Sequence, residues 1–556
     1  MHRLVLTAAL ACAIAAPAHA AETHLLTAAR IHTSDPQRPT VEAMAWDDSG
    51  KVLALGDAKA LLARYPDAER IDAGTATVIP GLIDAHAHVM GLGYALMRVD
   101  LVGTRDKADV IARLRAYEKT LPAGAWLLGG GWDQNDWRDN IFPTAADLDA
   151  AFPDRPVWLE RVDGHAGWAN SATLRVVEKS LAGKTLQGDW QPEGGRILRH
   201  DGAATGIFVD GAMQLVNAVV PMPDEKFREQ ALQRALEATA RNGLTGVHDM
   251  GTSREDLALF RRFADAGRLP LRIEAYADGD KAALQDLCAG GLYRHASGRL
   301  RMQGVKLYMD GALGSRGAAL LADYSDDPGN RGLLVTEPKA YEAAVRKAKR
   351  CGVQVATHAI GDRGNRLALD TYESVLGDDA RTDHRWRIEH AQIVSLDDIP
   401  RFAKLGVIAS MQPTHATSDM PWAQDRVGKQ RIAGAYAWRR FLDSGAHIAL
   451  GSDFPVESVD PRLGLYAAAT RQDRQGDPPD GWLADQKLSV AEALRGFTAD
   501  AAYAGKDENA SGRLVAGLPA DFVIVETDPL AVPVSELDDL KIRSTWIDGK
   551  SVYEAK

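Results

Sequence analysis

The chain reads as an α/β protein: a (β/α)8 TIM barrel, with a small β-sandwich domain built from both terminal segments and an inserted subdomain after barrel strand 1. Three observations predict this. Eight apolar, strand-like runs alternate with helical patterns along the middle of the chain, the signal of repeated βα units around a parallel sheet. Polar and ionisable residues gather at the C-terminal ends of those runs, the face on which such barrels carry their chemistry. Short alternating segments broken by turn residues occupy both ends of the chain and share one texture.

The 556 residues suit two or three domains, and 46% hydrophobic with 25% charged residues is ordinary for a globular protein. A net charge of -11 without a Lys/Arg-dense block argues against nucleic acid as a partner. Residues 1–20 have a basic start (His2, Arg3), an apolar run from Leu4 to Ala16 and a small-x-small site at Ala18-His19-Ala20. This predicts a signal peptide, too short for a membrane span, and a mature protein in the periplasm or secreted. Cys12 lies in the apolar run, but Ala9-Leu10-Ala11 before it makes a poor lipoprotein signal. Cys288 and Cys351 are then too few for a disulfide framework and are expected to be ordinary core cysteines.

In order, residues 21–78 form the first part of the small β domain, with a hairpin turn at Asp48-Ser49-Gly50-Lys51. Residues 79–500 form the barrel. Its first strand is expected in VIPGLIDAHAH, 78–88, and the others at 244–250, 271–278, 304–311, 353–361, 384–392, 406–413 and 446–455. Helices fit between them at 224–242, 255–266 and 338–349. The interval from about 95 to 220 is too long for a structureless loop and reads as an inserted subdomain or an elaborated lid beside the first strand, able to line the substrate cavity. Its tryptophans, Trp126, Trp132, Trp137, Trp158 and Trp168, are core candidates, with one or two open to a pocket. The polar segment 413–428, PTHATSDMPWAQDRVG, reads as a substrate-facing loop. Residues 501–556 return to the small β domain, with an Asp548-Gly549 turn.

The first strand organises the chemistry. Alternation puts Asp84, His86 and His88 on one face, and two imidazoles behind an in-line carboxylate can hold one or two divalent metals. In GVKLYMDG, Lys306, Tyr308 and Asp310 share a face; a buried ammonium must be paired, neutralised or modified, and an ion pair with Asp310 is one solution. His358, His390 and Asp453 end the fifth, sixth and eighth strands. Residues at the strand mouths of a barrel converge on one centre. An imidazole-rich set suits divalent transition metals, zinc first, over magnesium.

The motifs PGLIDAHAH, DGHAGWANS, GVKLYMDGALGSRGAAL, THAIGDRGN, RIEHAQ and GSDFPVE, as they stand here, resemble the metal-dependent amidohydrolase superfamily. Within it they resemble the YtcJ-like branch that includes N-substituted formamide deformylases, over nearly the whole mature chain. The resemblance implies that His86, His88 and Asp453 bind one metal. It further implies that a carboxylated Lys306 bridges to a second held by His358 and His390. A single-metal centre without that bridge is the alternative. Activated water would then attack a small N-substituted amide, with Asp453 as proton shuttle and His165 as a hydrogen-bond donor to the carbonyl. Tyr308, Arg316 and Trp422, with Phe454 and Glu457, are substrate-pocket candidates. Hydrolysis of a lactone, ester or cyclic amidine, a lyase or isomerase reaction, and a non-catalytic binding barrel are the competing readings. A homodimer is a compatible assembly.

Overall fold

The computed structural model describes residues 23–279 and 282–556; the leader and Cys12 lie outside the described residues. Eight parallel strands follow one another around the barrel in chain order: β1 (Leu82–Ala87), β2 (Leu244–Thr252), β3 (Arg272–Asp278), β4 (Leu300–Tyr308), β5 (Gln354–Ala359), β6 (Arg387–His390), β7 (Ile408–Met411) and β8 (Ile448–Leu450). Most of their residues are buried on both faces, which is why they read as continuous apolar runs. The covering helices Glu225–Arg241, Arg254–Asp265 and Pro338–Arg350 begin at Asp224, Ser253 and Glu337, whose side chains accept the free backbone N–H groups of the first turn. Their apolar faces, with Leu232, Phe260 and Val345, merge into one core with the outer sides of the strands.

The seam between β8 and β1 carries no strand ladder. It is closed by the loop after β8, where Asp453 N donates to His86 O (2.7 Å) and His88 N to Phe454 O (2.9 Å). Only glycine permits this approach: a Cβ on Gly451 would stand 2.5 Å from His86 N and from Asp84 Oδ1. The closure therefore stitches the loop bearing Asp453 to the strand bearing both histidines.

The run 78–88 is not one strand. Thr77–Pro80 belongs to the terminal sheet, pairing antiparallel with Phe522–Val525 and parallel with Thr23–His32, and β1 starts afresh at Leu82. Pro80 has no N–H to donate, and Gly81 turns its own to Asp521 O (2.9 Å), so the chain changes sheets there. Eight strands drawn from both ends of the chain form this terminal sheet. It curls until Trp46 meets Phe522 and Trp546 across the interior, with ring centroids 5.6 and 6.2 Å apart.

The segment between β1 and β2 folds as a six-stranded sheet with a core on each face. Trp132, Trp137 and Trp168 fill one core, Trp158 fills the other, and Trp126 packs at the margin of the second. All five tryptophans are thus committed to packing within the insert. Cys288 and Cys351 depart from expectation: they form a disulfide, Cα atoms 5.1 Å apart, tying helix Ala282–Gly290 to the residue that ends helix Pro338–Arg350. The two cysteines are 63 residues apart in sequence, and only the packing of these neighbouring helices brings them together. Among the described residues no helix is long and apolar enough to cross a membrane.

Candidate metal centre

The site lies at the C-terminal mouth of the barrel. His86 Nδ1 lies 2.6 Å from Glu389 Oε2; the carboxylate accepts the Nδ1 proton and leaves the Nε2 lone pair directed inward. Asp453 Oδ1 stands 3.5 Å from His86 Nε2 and 3.1 Å from His88 Nε2. Asp84 holds the approach: Ser452 Oγ donates to it at 2.6 Å and the N–H groups of His86 and Ser452 donate at 3.0 Å. Burial pushes the Asp84 carboxyl up to about 7 despite these donors.

Strand alternation alone would send Glu389 and His390 to opposite faces. The chain avoids this by turning left-handed at His390 (φ 72°) and Ala391 (φ 41°), so that both side chains reach the mouth. The His390 ring lies 4.7 Å from that of His86 and 4.6 Å from that of His358. Asp453 is likewise left-handed, φ 64°. Burial holds His86, His358 and His390 well below the usual histidine pKa, the neutral form in which imidazole binds metals. Burial opposes ionisation of Asp453, but the neighbouring His86 and His88 prevail and keep its carboxyl below the usual range.

Lys306 Nζ lies 3.0 Å from His86 Nε2, and burial lowers its amine to about 8. It makes no ion pair with Asp310, which instead accepts backbone N–H groups from Ile360 (3.0 Å), Gly361 and Ala319 (both 2.8 Å). His358 turns Nε2 toward Gly311 O, 3.5 Å away, and toward Asp310. His165 reaches the mouth from the insert: its ring lies 4.9 Å from that of His358, and its Nδ1 lies 2.6 Å from Asp210 Oδ1. Burial would lower the pKa of His165, but the hydrogen bond and charge of Asp210 raise it. The Tyr308 ring lies 5.9 Å from that of His358, tilted 39° to it, and beneath the Lys306 amine. Arg316 is engaged by Asp326 at 2.9 Å, because its left-handed backbone (φ 58°) turns it into the neighbouring loop. Trp422, 7% exposed, packs in the barrel core with Arg426 over its ring. These two side chains are committed to internal partners. Phe454 is fully buried, and Glu457 accepts from Ser418 Oγ at 2.7 Å.

Two features escaped the sequence reading. Arg387, fully buried, grips Glu389 (2.8 and 3.0 Å), Ala85 O (2.6 Å) and Ser410 Oγ (2.6 Å), and so braces the carboxylate that orients His86. The alternation of Arg387 and Glu389 in RIE was the available signal. His415, in helix Pro413–Asp419 after β7, turns Nε2 to 3.7 Å from Asp453 Oδ2.

The residues present fit a divalent transition metal. One ligand atom each from His86, His88 and Asp453 lie within 4.8 Å of one another, and Asp453 Oδ1 is buried without a hydrogen bond among the described residues. Two imidazoles and a carboxylate are a zinc-type donor set.

The profile of the amidohydrolase family matches residues 69–553. The chain is 31% identical to the YtcJ protein of Bacillus subtilis over 532 residues, covering 94% of this chain and 98% of that one. It is 28% identical to an N-substituted formamide deformylase of Arthrobacter pascens, covering 95% and 97%. A solved metal-dependent hydrolase from Pyrococcus horikoshii superposes with a TM-score of 0.74 at 29% identity, covering 92% of this chain and 99% of that one.

Proposed function

The chain belongs to the amidohydrolase family and is a hydrolase, and we propose that it cleaves the carbon–nitrogen bond of a small N-substituted amide. The observation that carries this reading is the His86, His88 and Asp453 set with its buried, unbonded carboxylate oxygen. When bound there, a divalent ion, zinc in this reading, lowers the pKa of water and polarises a carbonyl. Asp453, kept ionised by its histidine neighbours, accepts the water proton at Oδ2 and returns it to the leaving nitrogen. His165 Nδ1–H donates a hydrogen bond to Asp210 Oδ1; with Nδ1 protonated, Nε2 donates to the carbonyl oxygen only when the ring carries its second proton. This reading needs only the one ion that His86, His88 and Asp453 would hold.

Kinship to a formamide deformylase supports the amide over other bonds. The Cys288–Cys351 disulfide, together with the leader, supports export to the periplasm or beyond, because such bonds persist in oxidising compartments. The test is kcat/KM of the zinc-reloaded protein across formamides, N-acyl amino acids, cyclic amides, lactones and carboxylic esters. Preference for an amide is expected; turnover of lactones or esters with amides untouched overturns it.

A further inference from the structure

Resting on that reading, we propose that the chain carries a second cation site, formed by His390, His415 and the outer oxygen of Asp453. It would take a divalent transition ion and compete for the oxygen that moves the proton. The three residues come from the end of β6, the helix after β7 and the loop after β8. They are buried, and one ligand atom from each lies within 4.8 Å of the others. His415 Nε2 is buried without a hydrogen bond among the described residues, 3.7 Å from Asp453 Oδ2 and 4.0 Å from Glu457 Oε1. A buried nitrogen facing two carboxylates without bonding either is costly unless something else binds it.

His390 is oriented for the same position. Its Nδ1 lies 2.8 Å from the amide oxygen of Gln412, which can only accept, so the proton resides on Nδ1 and the Nε2 lone pair is free. Gln412 immediately precedes the helix that carries His415, so one short stretch of chain places both rings, which lie 5.9 Å apart and 21° from parallel. The set includes neither Lys306 nor His358 and needs no carboxylated amine. It divides Asp453 between two positions, Oδ1 toward His86 and His88 and Oδ2 toward His415. An ion on Oδ2 displaces the proton from that oxygen, so filling the second site should inhibit.

The experiment strips the purified protein with a chelator and titrates it with Zn(II), counting bound ions by equilibrium dialysis and elemental analysis while following amide turnover. The wild type is expected to take up two ions in separable steps and to lose turnover across the second. His415→Asn, and His415→Gln if the first variant melts without a cooperative transition, should hold one ion and show no inhibitory step. Folded His415 variants that still bind two ions overturn the proposal, as does a second uptake step without loss of turnover. A Lys306→Met chain that holds only one ion also overturns it, because the bridge would then run through the amine. One ion in the wild type sinks this site alone, whereas none sinks the metal-dependent reading with it.

Discussion

At the residue scale, the site depends on a few side chains whose protons are already assigned by their neighbours. Asp453 is expected to be indispensable because the leaving nitrogen needs a proton that metal-bound imidazoles cannot give. Asp453→Asn should lower kcat by about 100- to 10,000-fold even where some metal is retained, as steady-state kinetics beside elemental analysis would reveal. His165 makes a pH prediction. Asp210 accepts a hydrogen bond from Nδ1–H and raises the pKa of the ring, so the donating Nε2–H exists only while the ring is charged. Activity should therefore fall as pH rises through that elevated pKa, and Asp210→Asn should move this alkaline limb to lower pH. An unshifted pH profile of kcat would count against the role. His86, His88 and Asp453 were legible as strand-mouth donors, because strand period and residue type suffice to nominate a ligand. His415 was not, because in a polar helix after β7 its direction depends on how that helix docks.

At the element scale, the loop after β4 shows why a motif can be visible and its purpose hidden. In GALGSRG the glycines make room for the insert: a Cβ on Gly311 or Gly317 would run into the Asp210 carboxylate, and one on Gly314 would lie 2.8 Å from the Arg161 guanidinium. Gly311→Ala is expected to destabilise the fold by about 1–3 kcal/mol, the usual cost of overpacking. It should also depress kcat as a His165 substitution does, while leaving metal content unchanged. A variant melting like the wild type with normal kcat would show that Asp210 yields freely. The disulfide makes a second prediction. Closing the loop between Cys288 and Cys351 should contribute about 2–4 kcal/mol, so Cys351→Ser should lower Tm, and added reductant should lower the Tm of the wild type but not of the variant.

At the scale of the whole molecule, the terminal sheet and the barrel are one continuous construction. Phe522–Val525 pairs with Thr77–Pro80, which leads through Gly81 directly into β1. A chain ended before residue 512 would strip the partner strands from that edge and expose Val78 and Trp46; loss of cooperative melting is expected by circular dichroism. Export predicts that the mature protein begins at Ala21 on N-terminal sequencing. Composition, hydrophobic period and turn residues were enough to establish the eight-strand barrel, the β texture of both ends and the histidines at strand mouths, because each is written in local spacing. Tertiary structure alone decided where the chain changes sheets at Pro80-Gly81, that Cys288 meets Cys351, that Asp310 leaves Lys306 for backbone donors, and that His415 faces Asp453. Each of these depends on which distant groups compete for one donor or one volume, and that competition exists only once the chain has closed.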